Sequence, residues 1–202
     1  MNLKSTLRPA LVLFTGLTLL TGLVYPLVVT GLGQVMFPAA ANGSLVQSDG
    51  KTLGSGLIGQ SFTRPDYFWS RPSATGPEPY NAAASGGSNL GPNHPDLRKA
   101  VAERVAALRA ADPGNLRRVP VDLVTTSASG LDPHISLAAA EYQLGRVARL
   151  RGVPELQLRH LLGGLATQTV WGEARVNVLA LNMALDRQYP VRSQPSDATP
   201  RT

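Results

Sequence analysis

The sequence predicts an α/β protein: a single N-terminal transmembrane helix followed by one small extracytoplasmic α/β domain. Three observations predict it. Charges stop at Arg8 and resume only at Asp49, and the intervening stretch is mostly apolar from Ala10 to Phe37. Beyond it, Val- and Thr-rich pieces alternate with stretches of 3.6-residue apolar periodicity, which is the mixed pattern of an α/β fold. The 202-residue chain has no cysteine, and the portion beyond the membrane segment suits one domain of about 150 residues, large enough to bury a core without disulfides. The expected organisation is a cytoplasmic N-terminus (1–9), a membrane helix (10–36), the domain (37–188) and a disordered tail (189–202).

About 20 apolar residues cross a bilayer as a helix, so the first stretch is long enough to span with tilt. Pro26 should bend that helix without abolishing it. A cleavable signal peptide is the competing reading, with Ala39-Ala40-Ala41 as its site, but its apolar region would be only about 7–15 residues long. Lys4 and Arg8 precede the span and no lysine or arginine follows it until Lys51. The positive-inside rule then holds the N-terminus in the cytoplasm and exports the rest. Thr18, Gly22, Pro26 and Thr30 recur every fourth residue, a shallow stripe on which a second membrane helix could pack closely. Glycine and threonine are also simply common in membrane helices, and the spacing leaves both explanations open.

In the domain, residues 44–62 read as a strand, a turn at Asp49-Gly50 and a second extended piece. Residues 63–95 are rich in Pro, Gly, Ser and Asn and form a long loop. Arg64, Tyr67, Phe68, Trp69 and Arg71 give that loop the composition of a partner interface, or of aromatics tucked into the domain's own core. A helix starts near Pro95, with Leu97, Val101, Val105 and Leu108 on one face. Residues 118–127 alternate and read as a strand. A helix follows from about Pro133, presenting Leu137, Ala140, Leu144 and Val147, and Gly152 stops it. Another begins near Pro154 with Leu158, Leu161, Leu162 and Leu165. Residues 172–188 form a last helix or strand-helix.

Net charge is +6, but the 19 basic residues are scattered without interleaved aromatics, so nucleic acid is not an expected partner. The segment VTTSASGLDPHIS (124–136) crowds Ser127, Ser129, Asp132 and His134 together. Asp132 stands before Pro133 and is expected to cap the helix. That role occupies its carboxylate, and no G-x-S-x-G is present, so a Ser-His-Asp hydrolase is disfavoured. Glycine-rich turns in 127–132 and 85–91 offer amides of the kind that bind phosphate. The three histidines are far apart, so no metal site is expected. The residues alone thus indicate a non-catalytic, membrane-anchored domain, either a subunit of a complex or an independent ligand-binding protein.

Several motifs together resemble one family. Residues 7–46, GSGLIGQSFTRPDYFWSRPSAT (54–75), YNAAASGGSNLGP (80–92), VPVDLVTTSASGLDPHIS (119–136) and RVNVLALNMALD (175–186) are similar, in order, to the C subunit of the bacterial Kdp potassium-transporting P-type ATPase. The resemblance implies a non-catalytic subunit of the cell membrane. Its partners would be a channel-like potassium-binding subunit, an ATP-hydrolysing P-type subunit and a small membrane peptide. It also implies a catalytic chaperone that raises the pump subunit's affinity for ATP, with Ser127, Ser129, Gly130 and Gln143 as the positions to inspect for nucleotide or anion contact. Under that resemblance the 18–30 stripe would pack on the channel-like subunit, and Arg64, Phe68, Trp69 and Arg71 would meet a partner's outer face.

Overall fold

The computed structural model describes residues 3–48, 50–168 and 172–190, and the chain divides into two compact units between Leu53 and Gly54. The first unit begins with helix α1 (Leu3–Leu19), which runs through a single wide turn (Leu20–Val24) into α2 (Tyr25–Met36). The wide turn has a local cause. Tyr25 N–H donates to the carbonyl of Leu20, five residues back, and the next residue, Pro26, has no N–H to give. Its ring would also press on the Gly22 carbonyl in an unbroken α-helix, and opening the turn relieves that clash. Thr6–Met36 is long and apolar enough to cross a bilayer, and its side chains lie exposed along the whole length. At about 1.5 Å per residue it exceeds the 30 Å hydrocarbon core with room for tilt. Thr18, Gly22, Pro26 and Thr30 are all exposed on it. A short helical turn, α3 (Pro38–Ala41), follows and takes in the Ala39-Ala40-Ala41 sequence. Asn42 closes this turn back on α2, donating to the Pro38 carbonyl at 2.7 Å and to Gln34 Oε1 at 3.0 Å. Strands β1 (Leu45–Ser48) and β2 (Lys51–Ser55) form a two-stranded sheet. The expected turn falls between them, and Asp49 lies outside the described residues.

The second unit is built from α4 (Pro95–Ala111), strand β3 (His134–Ser136) leading into α5 (Leu137–Arg151), α6 (Glu155–Leu165), and strand β4 (Arg175–Asn177) leading into α7 (Val178–Gln188). Strands β3 and β4 pair antiparallel, with Ile135 opposite Val176. Both of those side chains are buried, and α5, α6 and α7 pack around them through Ala140, Leu144, Leu158, Leu162, Leu181 and Leu185. The apolar periodicities of α4 through α7 thus mark the faces that are buried. Gly152, at φ 65°, takes the left-handed conformation that ends α5, and its N–H donates to the Ala148 and Arg149 carbonyls.

Three expectations are corrected. Residues 118–127 form no strand. Pro120 leads into a single 3-10 turn (Val121–Leu123), and the adjacent Leu123 and Val124 are both buried, so the one-face alternation read from the sequence is not what the chain buries. The helix expected from Pro133 begins four residues later, because residues 134–136 pair with β4 first. Its cap is therefore Ser136, whose Oγ accepts from Ala139 N–H at 3.0 Å, and not Asp132. Asn177 caps α7 in the same manner, so each short strand hands its chain to a helix through a capping residue. Of the expected tail, Tyr189 packs against the core, and residues 191–202 lie outside the described residues.

Replacing Leu181, which is wholly buried, with alanine is expected to destabilise the domain by about 2–5 kcal/mol, the usual cost of a large-to-small change in a packed core. Thermal or denaturant unfolding followed by circular dichroism measures it.

Candidate functional site

The long loop from residue 62 to residue 92 is the most heavily tethered irregular segment, and two buried amides hold its centre. Asn182, on α7, accepts from Phe68 N–H at 3.0 Å and donates back to the Phe68 carbonyl at 2.9 Å. Gln143, on α5, does the same for the next residue, accepting from Trp69 N–H at 2.7 Å and donating to the Trp69 carbonyl at 3.1 Å. Each side-chain amide thus replaces a peptide group of a neighbouring strand. Gln143 and Asn182 are 1% and 2% exposed. Unpaired, the peptide groups they satisfy would cost about 1–3 kcal/mol each.

Arginines complete the grip. Arg146, 2% exposed, donates to the Pro65 carbonyl and to Gln143 Oε1, and its guanidinium lies 4.5 Å from the centre of the Trp69 ring. Burial lowers its pKa to about 10, still well above neutrality, so the cation persists and its partners must compensate for its desolvation. Arg151 donates to the Asp66 carbonyl and to Asp186, and its guanidinium sits 4.7 Å from the centre of the Tyr67 ring. Arg64 lies against the same ring at 5.0 Å and pairs with Asp66 at 2.6 Å. Burial works to raise the Asp66 pKa, but the hydrogen bond and charge of Arg64 prevail and hold it below the usual carboxylate value.

This geometry separates the four residues expected at a partner interface. Phe68 is 1% exposed and is a core residue, which corrects that expectation for it. Trp69 is half-buried, with its indole N–H donating to the Arg64 carbonyl. Arg71 is turned into an internal tie, donating to Asp132 at 3.1 Å and to the Thr126 carbonyl at 3.2 Å. Arg64 remains at the surface. The composition of the loop therefore serves the domain's own packing more than an outer face.

The two glycine-rich turns pack on each other. Gly86 N–H and Ser85 Oγ both donate to the Ser129 carbonyl, at 2.9 and 3.1 Å, and Ser73 Oγ donates to the Gly130 carbonyl at 2.7 Å. Gly130 has φ 68°, and a Cβ there would meet Thr75 Cγ2 at 2.7 Å and the Gly86 carbonyl oxygen at 2.8 Å. Close backbone approach explains its lack of a side chain. Leu131 N–H donates to Ser129 Oγ, and Gly130 N–H points to the Ser127 carbonyl at 3.4 Å. The carbonyls of Ser129 and Gly130, and the side-chain amide of Gln143, are thus engaged within the fold.

Asp132 works as a junction. Its Oδ1 accepts from His134 N–H at 3.0 Å and lies 3.1 Å from His134 Nδ1, while Oδ2 accepts from Arg71. Ser127 and Ser129 face each other at 3.5 Å, and among the described contacts neither serine meets the histidine. A nucleophile touching its base, the minimum for a serine hydrolase, is thus missing from this cluster. Beside it runs a cleft of about 420 Å³, lined by Arg71, Asp122, Asp132, His134, Glu173 and Arg175 among others. Sequence reasoning had no signal for the Gln143–Asn182 pair: a glutamine and an asparagine on separate helices carry no motif.

Comparison with known proteins bears on this arrangement. The family model for KdpC, described as K+-transporting ATPase, c chain, matches residues 7–187. A potassium-transporting ATPase KdpC subunit from Polaromonas naphthalenivorans is 64% identical, covering 95% of this chain and 99% of its own. Proteins of the same name from Variovorax paradoxus and Methylibium petroleiphilum are 60% and 61% identical, over 94% and 93% of this chain and the whole of theirs.

Gln143→Leu keeps the volume and removes the clamp. It is expected to destabilise the domain by about 2–5 kcal/mol, since two buried peptide groups and one guanidinium lose a partner. Limited proteolysis should then cut near Trp69. A role confined to ligand contact predicts unchanged stability.

Proposed function

The chain belongs to the KdpC family, K+-transporting ATPase, c chain, and from that premise we propose that it is the accessory subunit that assembles and steadies a potassium-uptake pump. It is the accessory member of that P-type ATPase complex and not its catalytic one. The observation that carries the reading is the helix Thr6–Met36, apolar and with none of its residues buried, in a chain that also carries a domain with a core of its own. A single span free of charged residues between Arg8 and Asp49 has no intramembrane charge with which to coordinate an ion. Transport is then the work of a channel-like potassium-binding subunit and an ATP-hydrolysing subunit, joined by a small membrane peptide, and this chain binds them.

In this reading the N-terminus is cytoplasmic and the domain lies outside the cell membrane, supported by Lys4 and Arg8 before the span. The stripe Thr18, Gly22, Pro26, Thr30 packs on a partner's membrane helix, supported by its small side chains and by the wide turn beside it. Raising the pump subunit's affinity for ATP, the chaperone role implied by the family resemblance, is conveyed through those contacts and not by holding nucleotide. The engagement of Ser129, Gly130 and Gln143 within the fold supports that indirect route.

Affinity purification of the tagged full chain from membranes in mild detergent is expected to bring down the two large subunits; recovery of the chain alone would overturn the proposal. Gly22→Leu is expected to lower that co-purification several-fold with the domain still folded, and undiminished recovery would remove the stripe as the contact. Titration of the purified full chain with Mg-ATP is expected to give no saturable heat up to about 1 mM, near −4 kcal/mol of binding free energy. Tighter binding would replace the indirect route with direct contact.

A further inference from the structure

The free edge of β3 is closed by two carboxylates. In the β3–β4 ladder the odd-numbered residues of β3 bond to the even-numbered residues of β4: Leu137 N–H donates to the Ala174 carbonyl, and Val178 N–H to the Pro133 carbonyl, each at 2.9 Å. The pairing of His134 with Asn177 and Ser136 with Arg175 fixes the same register. Alternation then turns the N–H groups of His134 and Ser136 to the opposite edge. Neither is left open. Asp132 Oδ1 accepts from His134 N–H at 3.0 Å, and Asp122 Oδ2 accepts from Ser136 N–H at 2.7 Å. The outer edge of β4 is also occupied, because Arg175 exchanges both backbone hydrogen bonds with Thr167.

The two carboxylates come from different places. Asp122 belongs to the 3-10 turn at 121–123, fourteen residues before its target. Asp132 lies two residues before its target and is held by Arg71. The cleft of about 420 Å³ includes Asp122, Asp132, His134 and Ser136 in its lining, together with residues 172–175. The donors on this side of β3 are thus covered, and the 121–123 turn that carries Asp122 packs beside the strand.

We propose that Asp122 and Asp132 together block strand addition at β3, keeping the edge from pairing with β3 of a second copy of this chain. A second copy is the occupant that the geometry fits. With donors at 134 and 136, two antiparallel β3 strands related by a two-fold axis at Ile135 place His134 opposite Ser136 of the other copy. Each such pair exchanges two backbone hydrogen bonds, which makes the edge self-complementary. Unpaired edges are a general route to unwanted association, and charged side chains turned onto the edge are one way of closing it. The proposal is independent of the subunit reading above.

The test compares full-length chains in one detergent by light scattering after size exclusion, across a range of concentrations. Asp122→Ala with Asp132→Ala is expected to show a concentration-dependent doubling of protein mass relative to the wild type. Asp122→Asn with Asp132→Asn keeps an oxygen acceptor at each position and is expected to retain the wild-type mass. A double alanine variant with wild-type circular dichroism and wild-type mass at every concentration overturns the proposal. Should that variant not fold, Asp122→Ala alone leaves the Arg71 tie intact and exposes the Ser136 amide. Hydrogen–deuterium exchange of the peptide holding Ser136 is then expected to rise about 10-fold or more, the scale of one charge-assisted hydrogen bond. Unchanged exchange there would overturn the block as well.

Discussion

Two side-chain amides, Gln143 and Asn182, hold the consecutive peptide groups of Phe68 and Trp69, and the long loop of the second unit is organised around that grip. A loop with no strand of its own needs somewhere to place its backbone donors and acceptors once it is buried. Here they are met by α5 and α7, helices that each begin at a strand of the same small sheet. The arrangement lets Phe68 enter the core without a third strand. It also brings the Trp69 ring under Arg146, whose own buried charge is compensated by carbonyls and by the ring face. The loop, the two helices and the arginine therefore form one unit in which each member needs the others.

The same dependence explains which parts of the fold the sequence revealed. Helices α4 to α7 were legible because their apolar spacing reports burial of one face, and Gly152 because only a left-handed residue suits that end of α5. The strand expected at 118–127 failed for a definite reason: its valines and threonines have strand propensity, but Pro120 and the adjacent burial of Leu123 and Val124 favour a tight turn. Asp132 looked like a helix cap because Asp-Pro usually is one. Three residues of β3 intervene, and Ser136 takes the role. Strands that short leave almost no periodic signal, since a period of two needs several residues to be seen.

Functional residues were less legible than the fold for a related reason. Arginine, aromatic and glycine clusters are shared by interfaces, phosphate cradles and tightly knit loops, and composition does not separate them. The geometry does. Trp69 and Arg71 direct their polar atoms into the domain, and Gly130 is small because Thr75 and Gly86 press on it. Of the four residues expected at an interface, Arg64 is the one left at the surface, where it pairs with the mostly buried Asp66.

Gln143, Arg146 and Asn182 are buried and turn their polar groups to the loop, so the loop's shape is fixed within the domain itself. Rigid ties cost nothing at the moment of assembly, because the loop is already ordered when a partner arrives, and the side-chain entropy has been lost in folding. The membrane helix offers the opposite kind of surface, apolar and without internal partners, so its contacts are free to be made with another helix or with lipid. An apolar helix open to other helices or lipid, and a domain whose long loop is already tied down, are two different kinds of surface within one accessory subunit. In the cluster around Asp132, His134 and the two serines, Asp132 ties the His134 backbone and Arg71 together, and the serines face each other and not the histidine, so the cluster holds a turn against its neighbours.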